Sequence, residues 1–234
     1  VLDRSRSMDE PLLPKGRQPS IDTTAEAKGK VARRLLAEFA ARRPEDRYSL
    51  LLFSSSPMLV VPFTQHGDVV QAGIEAGGIG RGLSETDIGR ALLAGAEQFD
   101  RRAYSGSRIL LLVSDGAAQI DDEMRGKIRR AFERNRVAVY WVFIRSALSL
   151  GLNADENDGN VPVAALHKFL KSTGVPYEAF EAEDPEAVKQ AVAEVDRQQN
   201  LPLDYVERIP RRDFSGWCFA LALVAGAIAL AGGL

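Results

Sequence analysis

Ile109-Leu110-Leu111-Leu112-Val113-Ser114-Asp115-Gly116 decides how this chain is built. Its apolar part does not alternate with polar residues, as a strand with one wet face would. An unbroken apolar run closed by a turn signal fits a strand covered on both faces. Val137 to Ile144 is a second run of this kind, rich in β-branched and aromatic residues. Two shorter runs, Ser49 to Phe53 and Met58 to Phe63, flank Ser54-Ser55-Ser56-Pro57 and read as a hairpin, and Tyr177 to Phe180 makes a last short strand.

Helical patterns separate these runs. Val31, Leu35 and Phe39 recur every four residues within Ala25 to Arg43, while Ile88, Leu92 and Phe99 share a face within Asp87 to Arg102. Met124, Ile128 and Phe132 do the same within Asp121 to Asn135. Two more helices are predicted at Pro162 to Ser172 and Pro185 to Gln199, the latter capped by Asp184 and opened by Pro185. Strand and helix alternating in this way predict an α/β fold with a mostly parallel central sheet and helices on both faces. The hairpin supplies one antiparallel edge strand.

In such sheets ligands sit beyond the carboxyl ends of the strands. Three groups of oxygen-bearing side chains fall there: Asp3-Arg4-Ser5-Arg6-Ser7, Thr86-Asp87 and Ser114-Asp115-Gly116. Asp3, Ser5, Ser7, Thr86 and Asp115 are hard oxygen donors without histidine or cysteine, a set that suits Mg²⁺, with Mn²⁺ or Ca²⁺ as alternatives. Ser5 and Ser7 stand two apart, so an extended loop would turn both hydroxyls to one point. Thr86 either caps the next helix or faces the cation. Taken singly, each of these residues is as well explained as a cap or a turn. Their convergence on one edge is what predicts a metal site.

Composition narrows the function. The chain has 234 residues, 45% hydrophobic and 26% charged, as expected for one globular domain with a real core. A formal net charge of −2 with interspersed signs gives no case for nucleic acid. A single cysteine, Cys218, excludes an internal disulfide framework. From Gly216 to Leu234 no residue is charged. At 1.5 Å per residue this run is roughly 28 Å long, enough to span the hydrocarbon core. The expected organisation is a domain over 1–200, a juxtamembrane linker over 201–213 and a transmembrane helix over 214–234. Only Val1 and Leu2 precede Asp3, and the apolar run reaches Leu234 without a polar flank, so the chain reads as part of a longer protein.

Asp3-x-Ser5-x-Ser7, Thr86 and Asp115 resemble the metal-ion-dependent adhesion site of von Willebrand factor A (VWA) domains. Asp46 to Ser54, Thr86 to Leu92 and Leu112 to Gly116 match the stretches around that site. The resemblance covers residues 1 to about 200 and implies a Rossmann-like α/β fold. It also implies that Ser5, Ser7 and Thr86 bind Mg²⁺ directly while Asp3 and Asp115 act largely through water. A protein partner would then complete the site with an Asp or Glu. Arg6 stands where the family usually has glycine, and Arg4 lies beside it; these arginines either attract the acidic ligand or pair with Asp9 and Glu10.

The tail, Asn200-Leu201-Pro202, then Tyr205 to Asp213 and the apolar run, is similar to membrane-anchored bacterial VWA proteins encoded beside MoxR-type AAA+ ATPases, and most of all to the MxaC group of methanol dehydrogenase gene clusters. The resemblance implies an interaction module of the bacterial inner membrane that works with such an ATPase in assembling or activating another enzyme. Arg208, Arg211 and Arg212 before the helix argue for a cytoplasmic domain; the resemblance favours the periplasm.

The polar stretch Asp9 to Thr24 predicts a long loop on the metal-bearing rim, and Asn153 to Asn160 a solvated acidic loop. The enzyme reading is a metal-dependent phosphohydrolase of haloacid-dehalogenase type, which uses an Asp after the first strand and a second Asp two residues on. Ser5 occupies that second position. The only histidines, His66 and His167, belong to no visible catalytic arrangement, and Gly78 to Gly82 lacks the rest of a phosphate loop. No catalysis is expected.

Overall fold

The computed structural model describes residues 1–13, 25–78, 85–100, 102–104, 106–116, 118–145, 151–152, 161–199 and seven positions between 219 and 232. Contacts divide the chain into two compact units, Val1–Leu203 and Asp204–Leu234.

The first unit is a six-stranded sheet made of β1 (Leu2–Asp3), β2 (Tyr48–Phe53), β3 (Pro57–Thr64), β4 (Arg108–Ser114), β5 (Val137–Ile144) and β6 (Tyr177–Ala182). Its order is β3-β2-β1-β4-β5-β6, and only the β2–β3 pair, at one edge, is antiparallel. The mostly parallel sheet with one antiparallel edge strand is therefore as predicted. β6 runs two residues further than its apolar pattern showed, because it pairs with β5 through Ala182.

Among the described residues six helices accompany the sheet: α1 (Lys28–Arg42), α2 (Gly67–Ala76), α3 (Ile88–Glu97), α4 (Asp122–Asn135), α5 (Val161–Lys171) and α6 (Pro185–Gln199). α2 was not foreseen; its ten residues carry Val70 and Ile74 as a short apolar face. Strand residues alternate between two cores, as the pleat requires. Leu51, Phe53, Leu112, Trp141 and Phe143 pack with α3, α4 and α5. Leu50, Leu52, Val113, Val142 and Ile144 pack with α1, α2 and α6. Both faces of the central strands are thus buried, which is why their sequences read as unbroken apolar runs. α3 lies close on the sheet at Gly95, where a Cβ would come within 2.9 Å of Leu110 Cδ1 and of Val1 Cγ2.

The loop after the first strand is fastened at both ends. Pro11 bridges Ala27, Leu12 N donates to Glu26 O at 2.9 Å, and Lys28 N donates to Glu10 O at 3.0 Å. Leu12 and Leu13 are buried. Its middle, 14–24, lies outside the described residues, as do the acidic stretch 153–160, the glycines at 80 and 82, and the linker over 201–213.

In the second unit, Phe219, Leu223, Ala225, Gly226, Leu230, Ala231 and Gly232 are helical, with Phe219, Leu223 and Leu230 strongly exposed. Most of the predicted membrane helix over 214–234 falls outside the described residues. Among the described residues, no helix is long and apolar enough to cross a membrane.

Candidate metal centre

β1 runs between β2 and β4, with Leu2 opposite Leu52 and Val113 and Asp3 opposite Phe53. Asp3 therefore leaves the sheet at the middle of its carboxyl edge, 2% exposed. Arg4 N donates to Phe53 O at 2.7 Å, and Ser5 N then turns back onto Asp3 Oδ1, also at 2.7 Å.

From Ser5 the chain enters a 3-10 turn, Arg6–Asp9, and not the extended loop expected for Ser5 to Ser7. Met8 explains it: this side chain is buried in the core against α1, which draws the chain into a turn as soon as it leaves Ser5. The two hydroxyls still meet, with Ser5 Oγ 3.0 Å from Ser7 Oγ. Arg6 fits without strain, because Arg136 is the only non-glycine at positive φ among the described residues. Glycine's backbone freedom is not needed at position 6.

Asp115 arrives from the end of β4 on the other side of Asp3. Ser7 Oγ donates to Asp115 Oδ1 at 2.8 Å. A hydroxyl has one proton, so Ser5 must be the donor in its contact with Ser7. Asp3, Ser5, Ser7 and Asp115 are thereby joined in one hydrogen-bonded chain, although Asp115 lies 108 residues from Ser7. Ser114 turns the strand end: its hydroxyl donates to Gly116 O at 3.1 Å and accepts from Trp141 Nε1 at 3.0 Å.

Thr86 reaches the same edge by a different route. Asp87 N donates to Ser54 O at 2.7 Å, which fixes the Thr86-Asp87 peptide to the end of β2. The side chain of Asp87 caps α3, accepting from Arg90 N at 2.9 Å. The capping role is therefore taken by Asp87 and not by Thr86. Among the described residues no hydrogen bond links the Thr86 hydroxyl to the other four.

The electrostatics of the group are uneven. Asp3 Oδ2 is buried and has no hydrogen-bond partner. Burial pushes the Asp3 carboxyl up to about 7, and the nearby Asp115 adds to this, while the hydrogen bond from Ser5 N and the charge of Lys28 pull the other way. An unpartnered carboxylate oxygen away from water is costly. Asp115 is compensated differently, since Lys28 Nζ donates to its Oδ2 at 2.8 Å with both side chains 2% exposed. The same ammonium reaches Ser7 O at 3.2 Å and Glu10 Oε2 at 3.1 Å. Glu10 is thus engaged by Lys28.

Two carboxylates and two hydroxyls face one another, and one buried carboxylate oxygen lacks a partner. This donor set fits a hard divalent cation. Among the described residues no three His, Cys, Asp or Glu side chains group as metal ligands, so any ion here relies on hydroxyls and water as well.

The sequence profile of the von Willebrand factor type A domain matches residues 1–117, half of the 234-residue chain. The chain belongs to that family. The VWA fold is also seen in solved structures similar to it. PilB minor pilin from Streptococcus sanguinis is 15% identical with a TM-score of 0.63, covering 85% of this chain and 59% of that one. The conserved hypothetical protein BatB from Bacteroides thetaiotaomicron is 16% identical with a TM-score of 0.54, covering 84% and 96%. An aerotolerance-related membrane protein from Bacteroides fragilis is 18% identical with a TM-score of 0.51, covering 82% and 96%. The VWA chain thus spans 59% of the length of the pilin it matches. No curated protein matches it. Nothing in these likenesses singles out the MxaC group.

Sequence reading missed Lys28 and Trp141. Trp141 looked like any core residue of β5. Lys28 left a trace, because it opens a VWA helix whose first turn carries no acidic residue. A cation there opposes the helix dipole, so it needs a tertiary reason to be buried.

Proposed function

We propose that this VWA domain is a divalent-cation-dependent protein-interaction module that acts without catalytic turnover. The observation that carries the reading is the buried, unpartnered Asp3 Oδ2, next to the Ser5–Ser7–Asp115 chain at the carboxyl rim. In this reading Ser5, Ser7 and Thr86 hold Mg²⁺ directly, and Asp3 and Asp115 hold it largely through water. When bound, the ion supplies an open coordination position that takes an Asp or Glu side chain from a partner protein. The chain's own residues orient the group: Met8 pins the turn, Ser114 and Trp141 set Asp115, and the Asp87 backbone sets Thr86. Met58 and Leu59, at the start of the edge strand β3, are 52% and 44% exposed and add apolar surface at the same end of the sheet.

The finer assignment rests on the tail. Its likeness to MoxR-associated proteins supports a partnership with an AAA+ ATPase in enzyme assembly or activation, with methanol dehydrogenase as the client. The apolar run over 214–234 supports anchoring in the inner membrane, with the domain on the periplasmic side. One of the similar structures is of an aerotolerance-related membrane protein, which agrees with a membrane-tethered VWA module. Ser5, in place of a second Asp, argues against phosphohydrolase chemistry.

The test is co-precipitation of the AAA+ ATPase with the full chain in Mg²⁺ and in EDTA, alongside Asp3→Ala. Capture that needs Mg²⁺ and is lost in Asp3→Ala supports the module. Capture indifferent to both, or turnover of a generic phosphate ester that Asp3→Ala abolishes, would overturn it.

A further inference from the structure

We infer that Lys28 is a resident counter-ion of the metal centre, a tethered cation that holds the site assembled when no divalent ion is bound and weakens divalent binding in return. The inference rests on the proposed metal site and adds a residue that the VWA motif does not contain.

Three observations carry it. Lys28 Nζ lies 2.8 Å from Asp115 Oδ2, and the two side chains are each 2% exposed, so the pair is cut off from bulk water. The same ammonium bonds Ser7 O at 3.2 Å, so it grips the turn that presents Ser7 as well as the loop that presents Asp115. Asp115 divides its two oxygens, Oδ2 to Lys28 and Oδ1 to Ser7, and this fixes the rotation of the carboxylate. Lys28 therefore touches two of the proposed ligand residues without being a ligand itself.

The sign of its effect is set by charge. Asp3 and Asp115 bring two carboxyl groups into one buried place, Glu10 adds a third at its exposed edge, and the single positive charge at Lys28 partly offsets them. Without that charge the metal-free site would carry like charges at short range, a strongly unfavourable arrangement in a poorly solvated place. With it, an arriving dication meets an ammonium already bound to one of its carboxylates, and like charges repel. Position in the helix strengthens the case: Lys28 opens α1, where a cation has no local stabilisation. Its partners Asp115, Ser7 and Glu10 are what hold it there.

The experiment is a Mn²⁺ titration of the full chain, with free Mn²⁺ read by electron paramagnetic resonance, on wild type, Lys28→Met and Lys28→Arg. Thermal unfolding in EDTA is measured in parallel. Lys28→Met is expected to bind Mn²⁺ tighter by on the order of tenfold, to melt lower than wild type in EDTA, and to recover when Mn²⁺ is added. Lys28→Arg keeps the charge and stays at the wild-type affinity. Should Lys28→Met fold only with Mn²⁺ present, the counter-ion role is supported outright. The double variant Lys28→Met/Asp115→Asn removes both charges and is expected to melt higher in EDTA than Lys28→Met alone; failure of that relief overturns the role. If wild type binds Mn²⁺ and a folded Lys28→Met binds it no tighter, this inference falls while the metal reading stands. If neither binds Mn²⁺, the metal reading falls and takes the inference with it.

Discussion

The indole Nε1 of Trp141 donates to Ser114 Oγ across 3.0 Å, with both residues fully buried. The same hydroxyl donates to Gly116 O at 3.1 Å. A tryptophan within β5 thus sets the turn that carries Asp115, which ties the hydrophobic core directly to the rim where the polar groups meet.

Removing Ser114 strands the indole, whereas removing Trp141 leaves the Ser114 hydroxyl its bond to Gly116 O. Ser114→Ala leaves a buried indole N–H unsatisfied, at a cost of about 1–3 kcal/mol, and frees the Asp115 turn. Trp141→Phe loses the donor and leaves a void beside Phe143. Urea unfolding of the single and double variants is expected to show coupling, with the double variant destabilised by less than the sum of the two. Additivity within about 0.3 kcal/mol would mean the bond does nothing for the turn.

Asp3 separates the metal reading from a purely structural one. Mg²⁺ at a hundred times its dissociation constant stabilises a one-site protein by about 2.7 kcal/mol. Wild type should gain on this scale in thermal unfolding, and Asp3→Ala should gain nothing. A buried carboxylate serving only the fold would give two melting curves that ignore Mg²⁺.

Thr86 and Asp87 are neighbours with opposite expected effects. Asp87→Ala removes the α3 cap and costs about 1 kcal/mol with or without metal. Thr86→Ala is expected to leave metal-free stability within about 0.5 kcal/mol of wild type while reducing the Mg²⁺-dependent gain. Equal Mg²⁺ stabilisation of Thr86→Ala and wild type would strike Thr86 from the site.

His167 gives a dependence on pH away from the site. Its Nδ1 lies 2.8 Å from the Tyr177 hydroxyl, and burial, with Lys171 nearby, holds the imidazole below its ordinary 6.5. The folded state therefore keeps His167 neutral at a pH where the unfolded chain already takes up a proton. Its contribution is intact above pH 6.5 and lost as pH falls below it. Denaturation midpoints from pH 5 to 8 should fall on the acid side more steeply in wild type than in His167→Gln; parallel curves would rule this out.

The strands that carry the sheet were legible because both faces are buried, so runs such as Ile109–Val113 and Val137–Ile144 stay apolar throughout. α2 was harder to see, because Val70 and Ile74 give only a two-residue apolar face over ten residues. The candidate site was legible as residue types, since hard oxygens at strand ends have few other uses in combination. Its local geometry was not, because burial of Met8 converts an open loop into a turn.

Sequence by itself determined the alternation of strand and helix, α2 excepted, and the two-sided sheet, which depend on periodicity; the VWA family was read from resemblance, and the oxygen donors were proposed from residue type and position. Only the tertiary structure decided which charges face one another. Lys28 reaches Asp115 across 87 residues, and Trp141 reaches Ser114 across 27. The first contact arises from packing α1 onto the sheet and the second from pairing β4 with β5, and no local pattern along the chain encodes either.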